Sequence, residues 1–353
     1  MSTDNIENYL EIVRSSCRAL VEKSPVKVSA ESVEKFLKNL DKNQYQELSI
    51  DTPMKMPLKF SSLAEELNFV ALIDLLNFGS GYRVPLHELA GRGAFDTIRF
   101  GVMSLHIGGT PMDVDTFVSM TPYRAAEIFQ FPIDREVHPP NMPFVTMTEA
   151  NELRPLAEGI ANVLNTTGEF LKTHGYKDLA TFILDVTRPQ PNQKPSAARL
   201  VGHLVKAFPG LNDTYTFYGE RVYLLKKAQI LTYHVWMFFH EQDPERFAFA
   251  DIDDLTVFAD NVVPTMLVHL GIIEIPEDWQ KDIDDNKDIG VERATAMRAA
   301  SVVACEDICR LSRQNGPISN MNEGNLDVYL WRLGKEGDYR KIPRFALRDT
   351  VMF

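Results

Sequence analysis

An aspartate inside an apolar stretch is the residue whose type and position first suggest chemistry. Asp260 lies in Ile252–Leu270, where apolar residues occur on every side, so the stretch predicts a buried helix. Pro264 has no N–H, and its ring clashes with the carbonyl of Asp260, so we expect the helix to kink or start again there. Burial disfavours a charged carboxylate and a helix N-terminus favours it, which makes Asp260 a candidate site. An equally good interpretation is that Asp260 caps the second half of the helix.

Two adjacent lysines form a second candidate. Lys226 and Lys227 stand near the start of the apolar stretch Leu224–His240. Lysines at a helix end are usually solvated, and that is one interpretation. The alternative is that a lysine on this rigid element reaches an anion of a ligand.

Acidic residues on two later predicted helices are further candidates. Glu306 has small and aliphatic neighbours, so we expect it to face inward, where it needs a cation or hydrogen-bond donors. Asp327 and Trp331 are four residues apart and share one side of a predicted helix. They either line a binding surface or form an ordinary surface acid beside a packed indole.

The end of an early apolar helix carries the last candidates. Asp74, Asn77 and Phe78 come just before Gly79-Ser80-Gly81. This pattern is either an ordinary helix end or an aromatic platform with polar neighbours.

Composition limits the class of protein. The 353 residues include 37 Lys and Arg against 49 Asp and Glu, a net charge of −12, which disfavours a protein that grips a nucleic-acid backbone. The three cysteines provide neither a disulfide framework nor a zinc site, and no apolar run approaches the roughly 18 residues of a membrane span. We therefore expect a soluble, cytoplasmic protein without a metal, and its oligomeric state stays open.

Helical periodicity dominates the chain and predicts an all-α, compact multi-helix fold with at most a small β-hairpin, at Tyr215–Tyr218 and Val222–Leu225. Pro122–Pro143 is expected to be an irregular connection. We expect an N-terminal helical lobe at residues 1–143 and a C-terminal lobe at 144–353, or else one compact domain. The predicted helices include Leu67–Phe78, Thr97–Ile107, Met147–Leu171, Ala197–Phe208, Leu224–His240, Ile252–Leu270, Val291–Arg313 and Asn325–Leu333.

Taken in order, the candidate motifs resemble those of the queuosine salvage protein family. Its members are nucleotide N-glycosidases that release queuine. The resemblance covers nearly the whole chain and is most specific after about Phe208. The motifs are Asp74-x-Leu-Leu-Asn77-Phe78, Phe217-x-Gly219-x-x-Val222-x-x-x-Lys226-Lys227-Ala228-Gln229-Ile230-Leu231, Phe258-Ala259-Asp260-x-x-x-Pro264, Leu267-x-His269-Leu270-Gly271, Glu306 and Leu326-Asp327-x-Tyr329-Leu330-Trp331.

The resemblance implies a fold similar to that of helix-hairpin-helix DNA glycosylases. It also implies hydrolysis of the N-glycosidic bond of queuosine 5'-phosphate, a small-molecule nucleotide substrate, with no cofactor. Asp260 would then stabilise positive charge on the ribose and take a proton from water, because charge that develops in the transition state is best met by a fixed carboxylate. Lys226, with Lys227, would hold the 5'-phosphate.

Queuine carries a cationic amine and a flat base. Glu306, Asp327 and Asp74 suit the amine, and Phe78 suits stacking on the base, with Asn77 and Trp331 as further substrate-binding candidates.

The chain departs from the family pattern near these residues. It has Gly79-Ser80-Gly81-Tyr82 where an aromatic pair is usual, Val262 where an arginine is usual, and Val303 where a tryptophan is usual. A non-catalytic binder of a modified 7-deazaguanine base or nucleotide is therefore the alternative function. A DNA glycosylase is a weaker option because it rests on fold analogy alone.

Overall fold

A computed structural model describes residues 8–50 and 58–353, and in this part of the chain the fold is mostly helical, as the sequence predicts. It contains seventeen α-helices and three two-stranded antiparallel sheets. Within the described residues no helix is both long enough and apolar enough to cross a membrane.

The helices alternate with short connections along the chain. They are α1 (Tyr9–Lys23), α2 (Ala30–Asn39), α3 (Lys42–Leu48), α4 (Leu63–Leu75), α5 (Arg83–Ala90), α6 (Ala94–Ile107), α7 (Val114–Val118), α8 (Pro122–Phe129), α9 (Arg154–Thr173), α10 (Leu179–Val186), α11 (Ala197–Ala207), α12 (Lys226–Phe239), α13 (Pro244–Phe247), α14 (Val262–His269), α15 (Glu277–Asp284), α16 (Gly290–Asn315) and α17 (Glu323–Leu333).

Each sheet is a single pair of short strands. The predicted hairpin is confirmed, with a turn at Tyr218 and Gly219. The pairs are β1 (Lys27–Val28) with β6 (Ile273–Glu274), β2 (Asp134–Val137) with β3 (Met147–Ala150), and β4 (Thr214–Phe217) with β5 (Glu220–Tyr223).

Three expectations about local structure are wrong. Met147–Ala150 is a strand because it pairs with β2, and the helix begins only at Arg154. Pro122–Phe129 is a helix, since Thr121 caps it and Pro122 occupies its first position, where a missing N–H costs nothing. Of Ile252–Leu270 only Val262–His269 is α-helical. A short apolar run fits a buried extended segment as well as a buried helix, and periodicity does not separate the two.

The chain forms two compact units. The first comprises the described parts of Met1–Lys59 with Val186–Lys206 and Leu211–Leu347, and the second comprises Phe60–Asp185, Ala207–Gly210 and Arg348–Phe353. Both units are built from segments that are discontinuous in sequence. The division into lobes at residues 143 and 144 stays a prediction.

The long helix α16 forms the centre of the first unit, where α1, α2, α14 and α17 pack against it. Its middle is buried on every side. Alanines supply much of that surface, and their small side chains let neighbouring helices approach closely. The alanines are Ala294, Ala296, Ala299, Ala300 and Ala304.

In the second unit, α9 is the helix around which others pack. It contacts α7 and α8, and α6 contacts both α4 and α8. Gly168 makes the α7–α9 contact close, because a Cβ there would lie 2.9 Å from the Cβ of Phe117.

A buried carboxylate ties α1 to α17 in the first unit. Arg14 donates to Glu323 Oε1, and its Nη1 donates to the carbonyl oxygen of Asp254 at 2.8 Å. Glu323 is only 4% exposed, and burial raises the pKa of its carboxyl to about 7 although Arg14 opposes that shift.

Replacing Glu323 with Gln is expected to change how stability depends on pH. The folded protein retains the proton of Glu323 up to a pKa of about 7, whereas the unfolded chain releases it near 4.5. The folded state therefore binds more protons between these values, and this group's contribution to the free energy of unfolding falls as pH rises through them, by on the order of 3 kcal/mol. Denaturant unfolding should show Glu323→Gln gaining stability relative to wild type from pH 4.5 to 7. Glu149→Gln, an exposed control, should show no such trend; equal behaviour of the two variants contradicts the prediction.

Candidate active site

The segment that leads to Asp260 is irregular and buried. Thr256, Val257, Phe258 and Ala259 are each at most 3% exposed. Neither a helix nor a sheet satisfies the backbone of residues 255–260, so its polar groups need other partners. Side chains from three helices of the first unit supply them.

The first of these side chains is Gln229 on α12. Its Oε1 accepts from the backbone N–H of Thr256 at 2.9 Å, and its Nε2 donates to Thr256 Oγ1 at 2.8 Å. Nε2 also donates to the carbonyl oxygen of Leu224 at 3.1 Å. One fully buried amide therefore joins the start of α12 to the segment.

The second is Asp327 on α17. Its Oδ1 accepts from the backbone N–H of Phe258 at 2.8 Å, and the residue is buried. Trp331, one turn later, is half-buried, and Lys335 Nζ lies 3.0 Å from the centre of its ring. Asp327 thus holds the segment two residues before Asp260, and its role and that of Trp331 in substrate binding stay predictions.

The third is Arg298 on α16, which the sequence reasoning missed. Its Nε donates to the carbonyl oxygen of Ala259 at 2.6 Å. Its Nη1 and Nη2 donate to the two carboxylate oxygens of Asp213 at 3.1 and 2.6 Å. Both residues are at most 1% exposed. The sequence did offer a signal for Arg298: it stands among the small, mostly apolar residues Ala294–Ala300, where a buried charge must have a partner.

Asp260 itself caps α14. Its Oδ1 accepts from the backbone N–H groups of Val262 at 2.6 Å and Val263 at 3.1 Å. Pro264 falls in the first turn, where a proline is tolerated. The capping interpretation is confirmed, and Asp260 as a residue is half-buried. Capping fixes the orientation of this carboxylate, so the cap and a catalytic role are compatible.

Lys226 and Lys227 are the first two residues of α12, and both are buried, at 4% and 1% exposed. The interpretation of a solvated helix end is therefore wrong. Burial holds the pKa of Lys227 well below its usual value, and the charge of Lys226 lowers it further, while Asp213 acts in the opposite direction. A buried pair of like charges is a place where a bound anion would be stabilised.

Glu306 lies on α16, eight residues after Arg298 and therefore about 12 Å farther along the helix axis. It is paired with two arginines of α1: Arg18 Nη2 is 2.7 Å from its Oε2, and Arg14 Nε is 3.6 Å from its Oε1. The side chain of Glu306 is 27% exposed, so it is only half-buried, and the cation it was expected to need is provided by the protein. A role toward the amine of a ligand stays a prediction.

Three predicted site residues belong to the second unit. Asp74, in the last turn of α4, is fully buried, Phe78 is 3% exposed, and Asn77 is half-buried. The ring of Phe78 packs over α9, since a Cβ at Gly159 would lie 3.4 Å from its Cε2. Their roles in substrate binding stay predictions.

Gly79, the first residue of the departure from the family pattern, lies at a position in the second unit that favours glycine. Gly79 has φ +98°, a conformation that favours glycine, and a Cβ there would lie 2.9 Å from Leu156 Cδ1. Its N–H donates to the carbonyl oxygen of Phe353 at 3.0 Å.

Gln229→Met tests whether side chains hold the segment. Methionine has a similar shape but leaves the N–H of Thr256 and the carbonyl of Leu224 buried without this partner, so we expect a loss of about 2–4 kcal/mol in the free energy of unfolding. Urea denaturation measures it. Gln242→Met, on an exposed side chain that bonds only the Phe238 carbonyl, is the matched control and should change little. A loss in Gln229→Met no larger than the control's contradicts this role.

The model of a family described as "Queuosine salvage protein" matches residues 138–350. The match includes Asp213, Lys226, Asp260 and Arg298, whereas Asp74, Asn77 and Phe78 precede it.

Three relatives are named queuosine 5'-phosphate N-glycosylase/hydrolase. The protein of Schizosaccharomyces pombe is 36% identical over 142 residues, 40% of this chain and 39% of the relative. That of Sphaerobacter thermophilus is 30% identical over 201 residues, 56% of this chain and 58% of the relative. That of Mus musculus is 28% identical over 200 residues, 54% of this chain and 56% of the relative. The chain thus spans less than two thirds of the length of each relative. Because the family match extends over more than half of its residues, the chain belongs to the queuosine salvage protein family.

Proposed function

We propose that this protein hydrolyses the N-glycosidic bond of queuosine 5'-phosphate and releases queuine for salvage into tRNA modification. The names of its relatives support the reaction and the substrate. The observation that carries the proposal is Asp260, a half-buried residue whose carboxylate is held at the start of α14 by two backbone N–H groups.

The chemistry requires a fixed negative charge beside the sugar. As the bond from the anomeric carbon to the base nitrogen breaks, positive charge develops on the ribose, and the carboxylate of Asp260 stabilises it. The base leaves with the bonding electron pair and takes up a proton from solvent. Water forms the new bond to the anomeric carbon and gives a proton to Asp260, which returns it to solvent at the end of the cycle. The products are queuine and ribose 5-phosphate.

Lys226 and Lys227 are proposed to hold the 5'-phosphate. They lie next to each other at the N-terminus of a fourteen-residue helix, where the helix dipole also favours an anion. A bound phosphate offsets the repulsion between the two lysines and raises the pKa of Lys227 from its depressed value.

We further propose that the enzyme is cytoplasmic, needs no cofactor and acts on the free nucleotide. The net charge of −12 disfavours binding of a nucleic-acid polymer. All three cysteines are buried and none is in a disulfide, which fits a reducing compartment.

Asp260→Asn is expected to lower kcat for queuosine 5'-phosphate by at least about 100-fold. Asparagine retains an oxygen that can cap α14, so the substitution removes the charge while the helix start is kept. Release of queuine is followed by mass spectrometry, and circular dichroism checks that the variant is folded.

Asp338→Asn is the matched control, because Asp338 is 95% exposed and pairs only with Lys341 on the surface. It should keep wild-type turnover. Wild-type turnover by Asp260→Asn would contradict the catalytic role of Asp260. If the wild-type protein binds the nucleotide tightly but releases no queuine, the proposed hydrolysis is contradicted. That result favours the non-catalytic binder.

Lys226→Met is expected to raise KM for queuosine 5'-phosphate by roughly 10- to 100-fold, the range of a lost charge-assisted hydrogen bond. The KM for the unphosphorylated nucleoside should change little, because it has no phosphate to lose. Steady-state kinetics on both substrates measure this, and Lys206→Met on the exposed side of α11 is the control. An equal change for nucleotide and nucleoside contradicts phosphate binding by Lys226.

A further inference from the structure

The ion pair between Asp213 and Arg298 has no role in the chemistry proposed above, yet it is fully buried in the first unit. A buried ion pair is often no more stabilising than well-packed apolar residues of the same volume, because removing both charges from water is costly. Its contacts to other groups therefore matter more than the pair itself.

One end of the pair reaches the backbone next to Asp260. Arg298 Nε donates to the carbonyl oxygen of Ala259 at 2.6 Å. That carbonyl shares a planar peptide group with the nitrogen of Asp260. Holding the oxygen of Ala259 therefore fixes where the backbone of Asp260 lies and how it is oriented.

The other end reaches the backbone of Lys226. Asp213 Oδ2 accepts from the N–H of Lys226 at 3.3 Å, and the carbonyl oxygen of Asp213 accepts from the N–H of Leu224 at 3.0 Å. Leu225, between these two residues, is buried and has φ +55°, a left-handed conformation that is unfavourable for leucine. Such a conformation persists only where its surroundings impose it, and here Asp213 bonds the residues on both sides.

We propose that Asp213 and Arg298 form a positioning pair that fixes Asp260 relative to Lys226. A chain of hydrogen bonds runs from the Lys226 N–H through Asp213 and the Arg298 guanidinium to the Ala259 carbonyl. The inference rests on the proposed function: once Lys226 holds the 5'-phosphate, the pair places the anomeric carbon at the Asp260 carboxylate. Asp213 and Arg298 touch neither the phosphate nor the sugar.

The test compares single and double variants. Asp213→Asn and Arg298→Met each leave one buried charge uncompensated and should lower Tm strongly, whereas the double variant removes both charges and should recover most of that loss. In the double variant kcat per folded molecule at saturating queuosine 5'-phosphate should still be about 100-fold below wild type, because misplacement by about 1 Å costs that much. The preference for nucleotide over nucleoside, as a ratio of kcat/KM values, should fall about tenfold.

The matched control is Asp282→Asn with Arg293→Met. That pair is also aspartate with arginine, separated by 2.9 Å, and Arg293 lies on the same helix as Arg298, but its side chains are about 30% exposed. The control should retain wild-type kcat and the same preference. Arg298→Lys is a second test variant: it keeps the charge opposite Asp213 but cannot form the two-pronged contact, so it should remain folded and lose kcat.

The outcomes are distinguishable. If the pair had only a structural role, the variants would contain less folded enzyme. The turnover of nucleotide and nucleoside would then fall equally, and the preference for the nucleotide would not change. The positioning role is overturned if the folded double variant has wild-type kcat and wild-type preference for the nucleotide. If the double variant does not fold, the same result in Arg298→Lys overturns it. In both cases the proposed function stands. Absence of queuine release by the wild-type protein overturns both.

Discussion

The buried contact between Asp213 and Arg298 is the interaction on which the geometry of the candidate site depends. One guanidinium binds both oxygens of a carboxylate and also the carbonyl of Ala259, while the carboxylate binds the N–H of Lys226. A lysine could not replace Arg298, because only a planar guanidinium offers donors in several fixed directions. The start of α12, the middle of α16 and the segment before α14 are thereby held together.

An irregular segment in a protein interior is costly unless each polar group of its backbone finds a partner. Here the partners are side chains: Gln229 for Thr256, Asp327 for Phe258 and Arg298 for Ala259. Each comes from a different helix, so the conformation of the segment depends on the packing of α12, α16 and α17 together. This arrangement ends at Asp260, whose own bonds to α14 complete it, and it gives the carboxylate proposed to be catalytic a rigid support.

Some charged residues of the first unit hold its structure together, and others are proposed to take part in binding and chemistry. Asp213, Glu306 and Asp327 each have a partner within the protein, and two of them hold the positions of Lys226 and Asp260. Lys226 and Lys227 are adjacent and buried, and the pKa of Lys227 is lowered first by burial and then by the charge of Lys226. In a chain with a net charge of −12, this local concentration of positive charge supports the proposal that a single phosphate binds here.

The sequence by itself determined most of the helices, because helical periodicity is a local signal. It also singled out Asp260 before Pro264 as a candidate, and the chemical role of Asp260 stays a proposal. It also located the β4–β5 hairpin. Only the tertiary structure decided that residues 255–260 are irregular and not helical, that Lys226 and Lys227 are buried, and that Arg298 bonds both Asp213 and Ala259. The contacts responsible join residues 27, 69 and 85 positions apart. Such pairing depends on which buried groups meet in space, and spacing along one chain does not encode that.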